Sequence, residues 1–272
     1  MRLKSRSGAG KAGPSAPGRP RRAYVSCPEY AAACSDVTVR YKFVDCRWAL
    51  DDPGYGRRAY LEGHIPGATF LDVERDLSSP PGLAGRHPLP TPDQFAAAAS
   101  AAGIGPDSFV VAYGTLGGAE RLWWLLRHFG HDDCAVIDLE CWLGPLREGP
   151  EPIAPATFRL RERTDDTISA DELAARAAEL VVVDARVASR WRGEPNPTDL
   201  VPGRIPGAVS APWNEALPAL PQGRLVAYCG SGVTACVPLH RLHLAGREGL
   251  LYPGSWSEWE QRPELPRTTG EG

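Results

Sequence analysis

One cysteine lies where an apolar strand-like run meets a glycine-rich loop and then a helix-like segment. The run 225–228 is followed by Cys229, and the next residues read Gly-Ser-Gly-Val-Thr-Ala. In such a connection the backbone N–H groups of the loop and of the helix start point at the residue that ends the strand, and they stabilise negative charge there. We therefore expect Cys229 to favour its thiolate, which is the nucleophilic form of cysteine.

Two reaction classes use a cysteine in this setting. Cysteine phosphatases follow the pattern Cys-x5-Arg, whose arginine binds phosphate oxygens, but Ala235 stands at that position here. Phosphate-ester hydrolysis is therefore poorly supported. A single sulfur atom, carried by the cysteine as a persulfide, is smaller than a phosphate group and suits this loop, because converging amides stabilise its negative charge. The alternative interpretation of Cys229 is a buried cysteine beside a structural turn.

The chain contains two internal similarities at nearly the same offset. A Val-Asp pair at 44–45 recurs at 183–184, and an Ile-Pro-Gly-Ala turn at 65–68 recurs at 205–208. The offsets are 183 minus 44, or 139, and 205 minus 65, or 140. Because the register between the two motifs is kept to within one residue, we infer that the chain is an internal duplication.

A third similarity shows where the two copies differ. Residues 226–229 match 111–114, so that Gly114 stands where the first copy would need the cysteine. The offset is now 229 minus 114, or 115, against 140 for the turn, so the first copy carries about 25 extra residues, which include the Pro- and Gly-rich stretch 78–92. Only the second copy can use a cysteine nucleophile at this position.

The predicted fold class is α/β, because short apolar, β-branched runs alternate with helix-like segments, as in parallel sheets flanked by helices. The predicted strands lie at 43–46, 109–113, 135–138, 180–184, 225–228 and 250–252. Helices are predicted from about Thr91, over 118–129, and from Ser169, where Glu172 would complete a capping box.

Length and composition allow two ordinary domains. The chain has 272 residues, 43% of them hydrophobic and 23% charged, which is enough for each half to bury its own core. Three prolines between residues 149 and 155 predict an extended linker. We place a disordered basic tail at 1–22, a non-catalytic domain at 23–150, the linker at 151–159 and the catalytic domain at 160–272.

The charge distribution argues against a nucleic-acid enzyme. The tail 1–22 holds seven basic residues and no acidic one, so the rest of the chain carries 23 basic against 33 acidic residues and lacks the clustered cations that phosphate contacts need. No apolar run approaches eighteen residues, and the chain starts basic rather than apolar, so we expect a cytoplasmic protein without a membrane span. Seven scattered cysteines without a Cys-x-x-Cys pair disfavour a zinc ribbon and a disulfide scaffold.

The ordered set of motifs resembles the tandem-domain members of the rhodanese family of sulfurtransferases. The resemblance covers about residues 35–265 and is carried by Val44-Asp45-x-Arg47, Glu62 to Ala68, Arg121 to Trp124, Asp184 to Arg186, Arg190 to Gly193, Cys229 to Ala235 and Pro253 to Trp256. It implies two rhodanese-like domains, the first inactive and the second catalytic. Its implied chemistry is sulfur transfer through a persulfide on Cys229.

The resemblance also implies roles for the residues around the cysteine. The loop is similar to that of 3-mercaptopyruvate sulfurtransferases, whereas members that prefer thiosulfate carry basic residues directly after the cysteine. Arg190 would bind the substrate carboxylate, and Asp184 would orient Arg190 or the loop. The persulfide charge would be held by backbone amides of the loop residues Gly230, Ser231, Gly232, Val233, Thr234 and Ala235.

Ser231 and a histidine from the first domain are implied to reach the substrate. His87 occupies the corresponding place, with Glu74 at a first-domain acidic position, and it would carry the proton that an enolate product needs. Its alternative interpretation is a loop histidine that packs at the domain interface. Two residues depart from the family pattern: a second substrate-binding arginine aligns near Thr198, and Arg204 replaces a histidine in the Ile-Pro-Gly turn.

We therefore expect a sulfurtransferase that takes sulfur from 3-mercaptopyruvate and passes it to cyanide, a thiol or a thioredoxin-like acceptor, with no metal or organic cofactor. One alternative is a thiosulfate:cyanide sulfurtransferase, which releases sulfite instead of pyruvate. Another is a persulfide carrier or regulatory module that never turns over a small donor.

Overall fold

Each of the two repeats forms a four-stranded parallel sheet in the computed structural model, which describes residues 40–271. The first sheet has the order β2-β1-β3-β4 and the second has the order β6-β5-β7-β8. The strands are β1 (Arg40–Cys46), β2 (Thr69–Phe70), β3 (Ser108–Gly114), β4 (Cys134–Val136), β5 (Val181–Asp184), β6 (Val209–Ser210), β7 (Leu225–Tyr228) and β8 (Gly249–Leu251). The predicted α/β class is confirmed.

Seven helices flank these sheets in the described part of the chain: α1 (Tyr55–Glu62), α2 (Pro92–Ala101), α3 (Gly118–His128), α4 (Ala170–Arg176), α5 (Ala188–Arg192), α6 (Cys236–Leu244) and α7 (Ser255–Trp259). The predicted helix starts are confirmed. The side chain of Thr91 accepts from the Gln94 amide, and that of Ser169 accepts from the Glu172 amide at 3.2 Å. The capping box is only half formed, because the Glu172 carboxylate pairs with Arg176 instead.

Two strands were missed by the sequence analysis, β2 and β6, and they occupy equivalent places. Each has two residues and follows an Ile-Pro-Gly-Ala turn, and the register pairs Val44 with Thr69 in one sheet and Val183 with Val209 in the other. Two residues are too few to show an alternating pattern. The shared register agrees with the duplication inferred from the motif offsets.

The repeats pack face to face through α3 and α6, and one hydrophobic core runs through both. At this contact the Trp123 ring on α3 meets the His240 ring on α6 edge-on at 4.8 Å. Pro238 lies in the first turn of α6, where a backbone N–H has no partner within the helix, so the proline does not break it.

The predicted linker 151–159 lies in an extended segment that runs along the first sheet's helices. The Ala156 amide donates to the Ser100 carbonyl and the Arg161 amide to the Phe129 carbonyl, each at 2.9 Å. The exact domain boundaries stay a prediction, and the basic tail 1–22 lies outside the described residues. Between residues 40 and 271, none of the helices combines the length and apolarity needed to cross a membrane.

Candidate active site

The connection between β7 and α6 wraps around the sulfur of Cys229. Seven residues, 229–235, separate the strand from the helix. The amide of Gly232 lies 3.1 Å from Cys229 Sγ and that of Ser231 lies 3.5 Å away. Gly232 has a φ of +84°, and a Cβ there would lie 2.3 Å from the Pro253 carbonyl oxygen, so this turn requires glycine. Two amides of the predicted cradle, those of Ser231 and Gly232, therefore converge on a buried thiol, and the contribution of the other loop amides stays a prediction.

The first residues of α7 hold the cysteine loop through hydrogen bonds to its backbone. The Cys229 amide donates to Ser255 Oγ at 3.1 Å, and the Cys229 carbonyl accepts from the Trp256 amide at 3.0 Å. Ser255 has a φ of 52°, a left-handed conformation that costs energy for a residue with a side chain. Such strain is maintained only when the surroundings fix it, and here the fixed serine holds the cysteine in place.

Asp184 reaches Arg190 indirectly, because its partner Arg186 also donates to Asp199, the partner of Arg190. It is fully buried, pairs with Arg186, and accepts from the Tyr228 hydroxyl at 2.7 Å. The equivalent pair Asp45 and Arg47 occurs in the repeat without the cysteine, so the interaction belongs to the fold. Of the two orienting roles predicted for Asp184, its direct contacts fit support of the loop through Tyr228.

Arg190 reaches the mouth of the loop, and its partner is Asp199. Nε of Arg190 donates to Asp199 Oδ2 at 2.9 Å, and a second, shorter bond joins Nη2 to Oδ1. Burial alone would raise the pKa of Asp199, but the hydrogen bond and charge of Arg190 bring it below its usual value. A Cβ built on Gly230 would lie 2.9 Å from Arg190 Nη2, so the guanidinium covers the residue next to the cysteine.

A second guanidinium, missed by the sequence analysis, lies over the same glycine. Arg86 comes from the first repeat, and its Nη2 would lie 3.0 Å from a Cβ on Gly230. Both arginines line a cavity of about 160 Å³ with Cys229 at its base. The cavity is also lined by the loop residues Gly230, Ser231, Val233 and Thr234 and by the first-repeat residues Trp48 and Leu116. Ala235, by contrast, is fully buried at the start of α6.

Ser231 and His87 meet across the repeats. His87 Nδ1 lies 2.7 Å from Ser231 Oγ, and Nε2 lies 3.8 Å from Glu74 Oε1. Burial, followed by the charges of Arg121 and Arg86, lowers the pKa of His87 to about 4, so the ring is neutral at pH 7. In the neutral tautomer that carries its proton on Nε2, the nitrogen facing Glu74, Nδ1 accepts from the Ser231 hydroxyl.

A fully buried arginine ties the loop to the first repeat. Arg121, on α3, donates to the Gly232 carbonyl at 3.2 Å and to three carbonyls of the first repeat, those of Leu77, His87 and Pro88. Burial lowers the pKa of this guanidinium below its usual value, yet an arginine stays charged at any ordinary pH. A positive charge therefore lies behind the cysteine loop, held there by backbone dipoles.

The two departures from the family pattern have distinct surroundings. The Thr198 carbonyl accepts from Arg86 Nη1 at 2.8 Å. Arg204 donates to the carbonyls of Trp191 and Gly270 and lies 3.9 Å from the centre of the Trp191 ring. Arg204 is therefore part of the packing of the second repeat, away from the cysteine.

The other described cysteines do not line the cavity that holds Cys229. Cys236 is buried on α6, and burial raises the pKa of its thiol to about 12, so it is a packed thiol rather than a second nucleophile. Cys141 is disulfide-bonded, which the sequence analysis did not predict. Over residues 40–271, no cluster of three or more His, Cys, Asp or Glu side chains could hold a metal ion.

Comparisons with known proteins agree with the geometry. The Rhodanese-like domain family model matches residues 28–139 and 169–262. A probable 3-mercaptopyruvate sulfurtransferase of Pseudomonas aeruginosa is 43% identical over 261 residues, which cover 84% of this chain and 92% of that protein. A putative thiosulfate sulfurtransferase, SseB, of Mycobacterium tuberculosis is 36% identical over 255 residues, covering 82% and 89%.

A solved structure shows the same architecture. The 3-mercaptopyruvate sulfurtransferase from Leishmania major superposes with a TM-score of 0.75 at 27% identity, covering 93% of this chain and 78% of that one. The duplicated parallel sheets and the cysteine loop between β7 and α6 are thus those of a known enzyme family. The chain belongs to the rhodanese family, as a tandem-domain sulfurtransferase.

Proposed function

We propose that the enzyme takes sulfur from 3-mercaptopyruvate onto Cys229 and passes it to a thiol acceptor in the cell or to cyanide in vitro. One observation carries the proposal: Cys229 Sγ accepts from two loop amides in a cavity that is also lined by Arg86 and Arg190. Amides fixed before the reaction stabilise the thiolate and then the persulfide. The guanidiniums suit the carboxylate of the donor.

The first half-reaction balances with the groups present. The Cys229 thiolate attacks the sulfur of the donor, the S–S bond forms, and the C–S electron pair moves into the ketone to give the enolate of pyruvate. The proton of the donor thiol goes to the enolate carbon, so that pyruvate leaves and an anionic persulfide stays on Cys229. In the second half-reaction the acceptor attacks the outer sulfur and the thiolate returns.

The pair Ser231 and His87 supports 3-mercaptopyruvate over thiosulfate. Sulfur transfer from 3-mercaptopyruvate needs a proton moved from sulfur to carbon, and a serine hydroxyl bonded to a neutral histidine at 2.7 Å is suited to relay one. Transfer from thiosulfate releases sulfite and needs no proton. The loop also adds no cationic side chain between residues 230 and 235.

Thiosulfate remains the second candidate donor, because one observation favours it. Nη2 of Arg86 and Nη2 of Arg190 would both lie within 3.0 Å of a Cβ built on Gly230. Two guanidiniums this close together can also bind a compact dianion. A sulfurtransferase of either preference would keep the fold and the cysteine loop.

The test is a steady-state comparison of sulfur transfer to cyanide from each donor. We expect kcat/KM for 3-mercaptopyruvate to exceed that for thiosulfate by about tenfold or more. A ratio of this size corresponds to the free energy of at least one charge-assisted hydrogen bond. Cys229→Ser should remove turnover with both donors, and Cys236→Ser, the matched control on a nearby buried thiol, should keep it.

The other outcomes distinguish the alternatives. A higher kcat/KM for thiosulfate would overturn the donor assignment, and the absence of turnover with both donors would favour a persulfide carrier or regulatory module. The cytoplasmic location and the thiol or thioredoxin-like acceptor also belong to this proposal, and they rest on the sequence alone.

A further inference from the structure

Asp199 belongs to a loop of the second repeat that has no equivalent at the same place in the first. Helix α1 continues almost to the first Ile-Pro-Gly-Ala turn, whereas α5 ends early and residues 193–203 form a loop before the second turn. Within this loop the Asn196 side chain accepts from the amides of Thr198 and Asp199, each at 3.0 Å. Such an Asx turn fixes the backbone that carries Asp199.

The Asp199 carboxylate is buried and reaches the cavity only through Arg190. Its side chain is 1% exposed. It accepts from Nε and Nη2 of Arg190, from Nη1 of Arg186 at 3.4 Å and from Nδ2 of Asn196 at 2.8 Å. Burial would raise the pKa of Asp199, but the hydrogen bond and charge of Arg190 outweigh burial and bring it below its usual value. The carboxylate is therefore ionised at neutral pH.

The charges around the cavity are closely balanced. Three guanidiniums line it, and in the described part of the chain each has a carboxylate within 4.0 Å. The pairs are Arg86 with Glu260, Arg186 with Asp184, and Arg190 with Asp199. When all three carboxylates are ionised, these fixed charges cancel. Because Asp199 also pairs with Arg186, losing its charge would leave two guanidiniums short of an anion.

This balance affects a monoanion and a dianion differently. At the same distance, a fixed unit charge interacts twice as strongly with a dianion as with a monoanion. The negative charge of Asp199 therefore weakens the binding of a compact dianion, such as thiosulfate, more than the binding of a molecule with one carboxylate. The same carboxylate holds the guanidinium of Arg190 beside Gly230, where either anion would contact it.

We propose that Asp199 is a positioning residue that sets the donor preference of the site: it holds Arg190 in place and offsets part of the positive charge, so that the cavity favours a monoanionic donor over a dianionic one. The proposal rests on the proposed function for the identity of that monoanion as 3-mercaptopyruvate. Asp199 acts through Arg190 and does not contact the donor.

The test measures how well two anions protect Cys229 from alkylation by iodoacetamide, followed by mass spectrometry of the peptide that contains the cysteine. Pyruvate is the monoanionic probe and sulfate the dianionic one, so the measurement needs no turnover. The quantity compared is the half-protecting concentration of pyruvate divided by that of sulfate. Asp199→Asn should raise this ratio about tenfold, because one unit of negative charge is removed close to the bound anion.

Three further variants separate charge from packing. Asp199→Glu keeps the charge and should keep the ratio within about twofold of the wild type. Asn196→Asp retains an oxygen that can accept from the two loop amides and adds a negative charge beside Asp199, so it should lower the ratio. Asp132→Asn makes the same change of charge at a half-exposed carboxylate outside the cavity and should leave the ratio unchanged.

An equal loss of affinity for pyruvate and sulfate in Asp199→Asn would overturn the proposal, because Asp199 would then only hold the loop together. If that variant does not fold, Asn196→Asp decides, and an unchanged ratio there would overturn the proposal as well. A wild-type enzyme that prefers thiosulfate in steady-state turnover would overturn the donor assignment of the proposed function instead, and the protection ratios would still decide the role of Asp199.

Discussion

The connection from β3 to α3 and the connection from β7 to α6 leave equivalent strands, yet only the second forms a site. After the equivalent positions Gly114 and Cys229, three residues, 115–117, precede the helix in the first repeat, against six, 230–235, in the second. The short connection is closed by Thr115, whose hydroxyl accepts from the Trp48 amide and donates to the Trp48 carbonyl. The longer one has enough backbone to turn its amides toward a side chain at the strand end.

The connection from β3 to α3 lines the cavity beside the cysteine loop of the second repeat. A Cβ on Gly117 would lie 3.0 Å from the Thr234 Cα, so the two connections are in direct contact, and Leu116 lines the cavity. Gly114 has no space for a side chain, because a Cβ there would lie 2.7 Å from the Cys46 carbonyl oxygen. After duplication, the same sheet edge can thus provide a nucleophile in one copy and an enclosure in the other.

The largest expected effect is the loss of sulfur transfer when the cysteine is moved to the first repeat. We expect Cys229→Ser combined with Gly114→Cys to have no sulfur transfer above the Cys229→Ser background, because a side chain at 114 meets the Cys46 carbonyl oxygen and the short connection cannot enclose a sulfur with amides. Turnover with cyanide as acceptor is the measurement. Recovery of activity would show that loop length does not decide which repeat is catalytic.

Removing the buried cation between the repeats should have the next largest effect. Arg121→Met removes a buried donor from the carbonyls of Leu77, His87, Pro88 and Gly232, and we expect the free energy of unfolding to fall by about 3 kcal/mol, with a lower kcat. Urea denaturation measures the first quantity. Arg127→Met, on the same helix with exposed partners, should cost less than about 1 kcal/mol, and equal costs for the two variants would contradict this account.

His87 should make the joined repeats sensitive to acid. Its pKa is lowered to about 4 in the folded protein against about 6.5 when unfolded, so between these values the unfolded chain binds more protons. The free energy of unfolding should therefore fall as the pH drops from 6.5 to 4, by about 3 kcal/mol from this group. Denaturation curves over that range should show this loss of unfolding free energy in the wild type, and His87→Gln should lack it. Parallel pH profiles for the two proteins would contradict the buried, neutral histidine.

The smallest expected effect concerns packing alone. Gly114→Ala should lower the free energy of unfolding by about 1 to 3 kcal/mol, because its Cβ meets the backbone of β1, while kcat stays unchanged. Gly82→Ala is the matched control, since a Cβ there meets nothing within 4 Å. A loss of activity in Gly114→Ala that exceeds its loss of stability would give the first connection a role in catalysis.

The sequence predicted the parts of this enzyme that depend on local pattern and repetition. The offsets of the Val-Asp and Ile-Pro-Gly motifs predicted two copies, and the glycine loop after 225–228 predicted the amide cradle around Cys229. Strand runs and caps predicted most elements, whereas the two-residue strands β2 and β6 arise from sheet pairing and leave no periodic signal.

The rest of the site depends on contacts between distant residues. Arg86 lies next to the predicted His87, inside the stretch 78–92 that only the first copy carries, and that insertion was the available signal. Its convergence with Arg190 follows from the packing of the two repeats, which the sequence pattern does not specify. The sequence pattern also did not predict that Arg190 pairs with Asp199 instead of Asp184. Asp184 is already occupied by Arg186 and by Tyr228, and the second of these contacts joins distant residues.

The most direct test of the central claim is mass spectrometry of the enzyme after incubation with 3-mercaptopyruvate and removal of the donor. We expect the chain to gain the mass of one sulfur atom, located by peptide mapping to Cys229, lost on addition of cyanide and absent from Cys229→Ser. A sulfur found on Cys46, Cys134 or Cys236, or no gain of mass while pyruvate is released, would contradict transfer through a persulfide in the β7 to α6 loop.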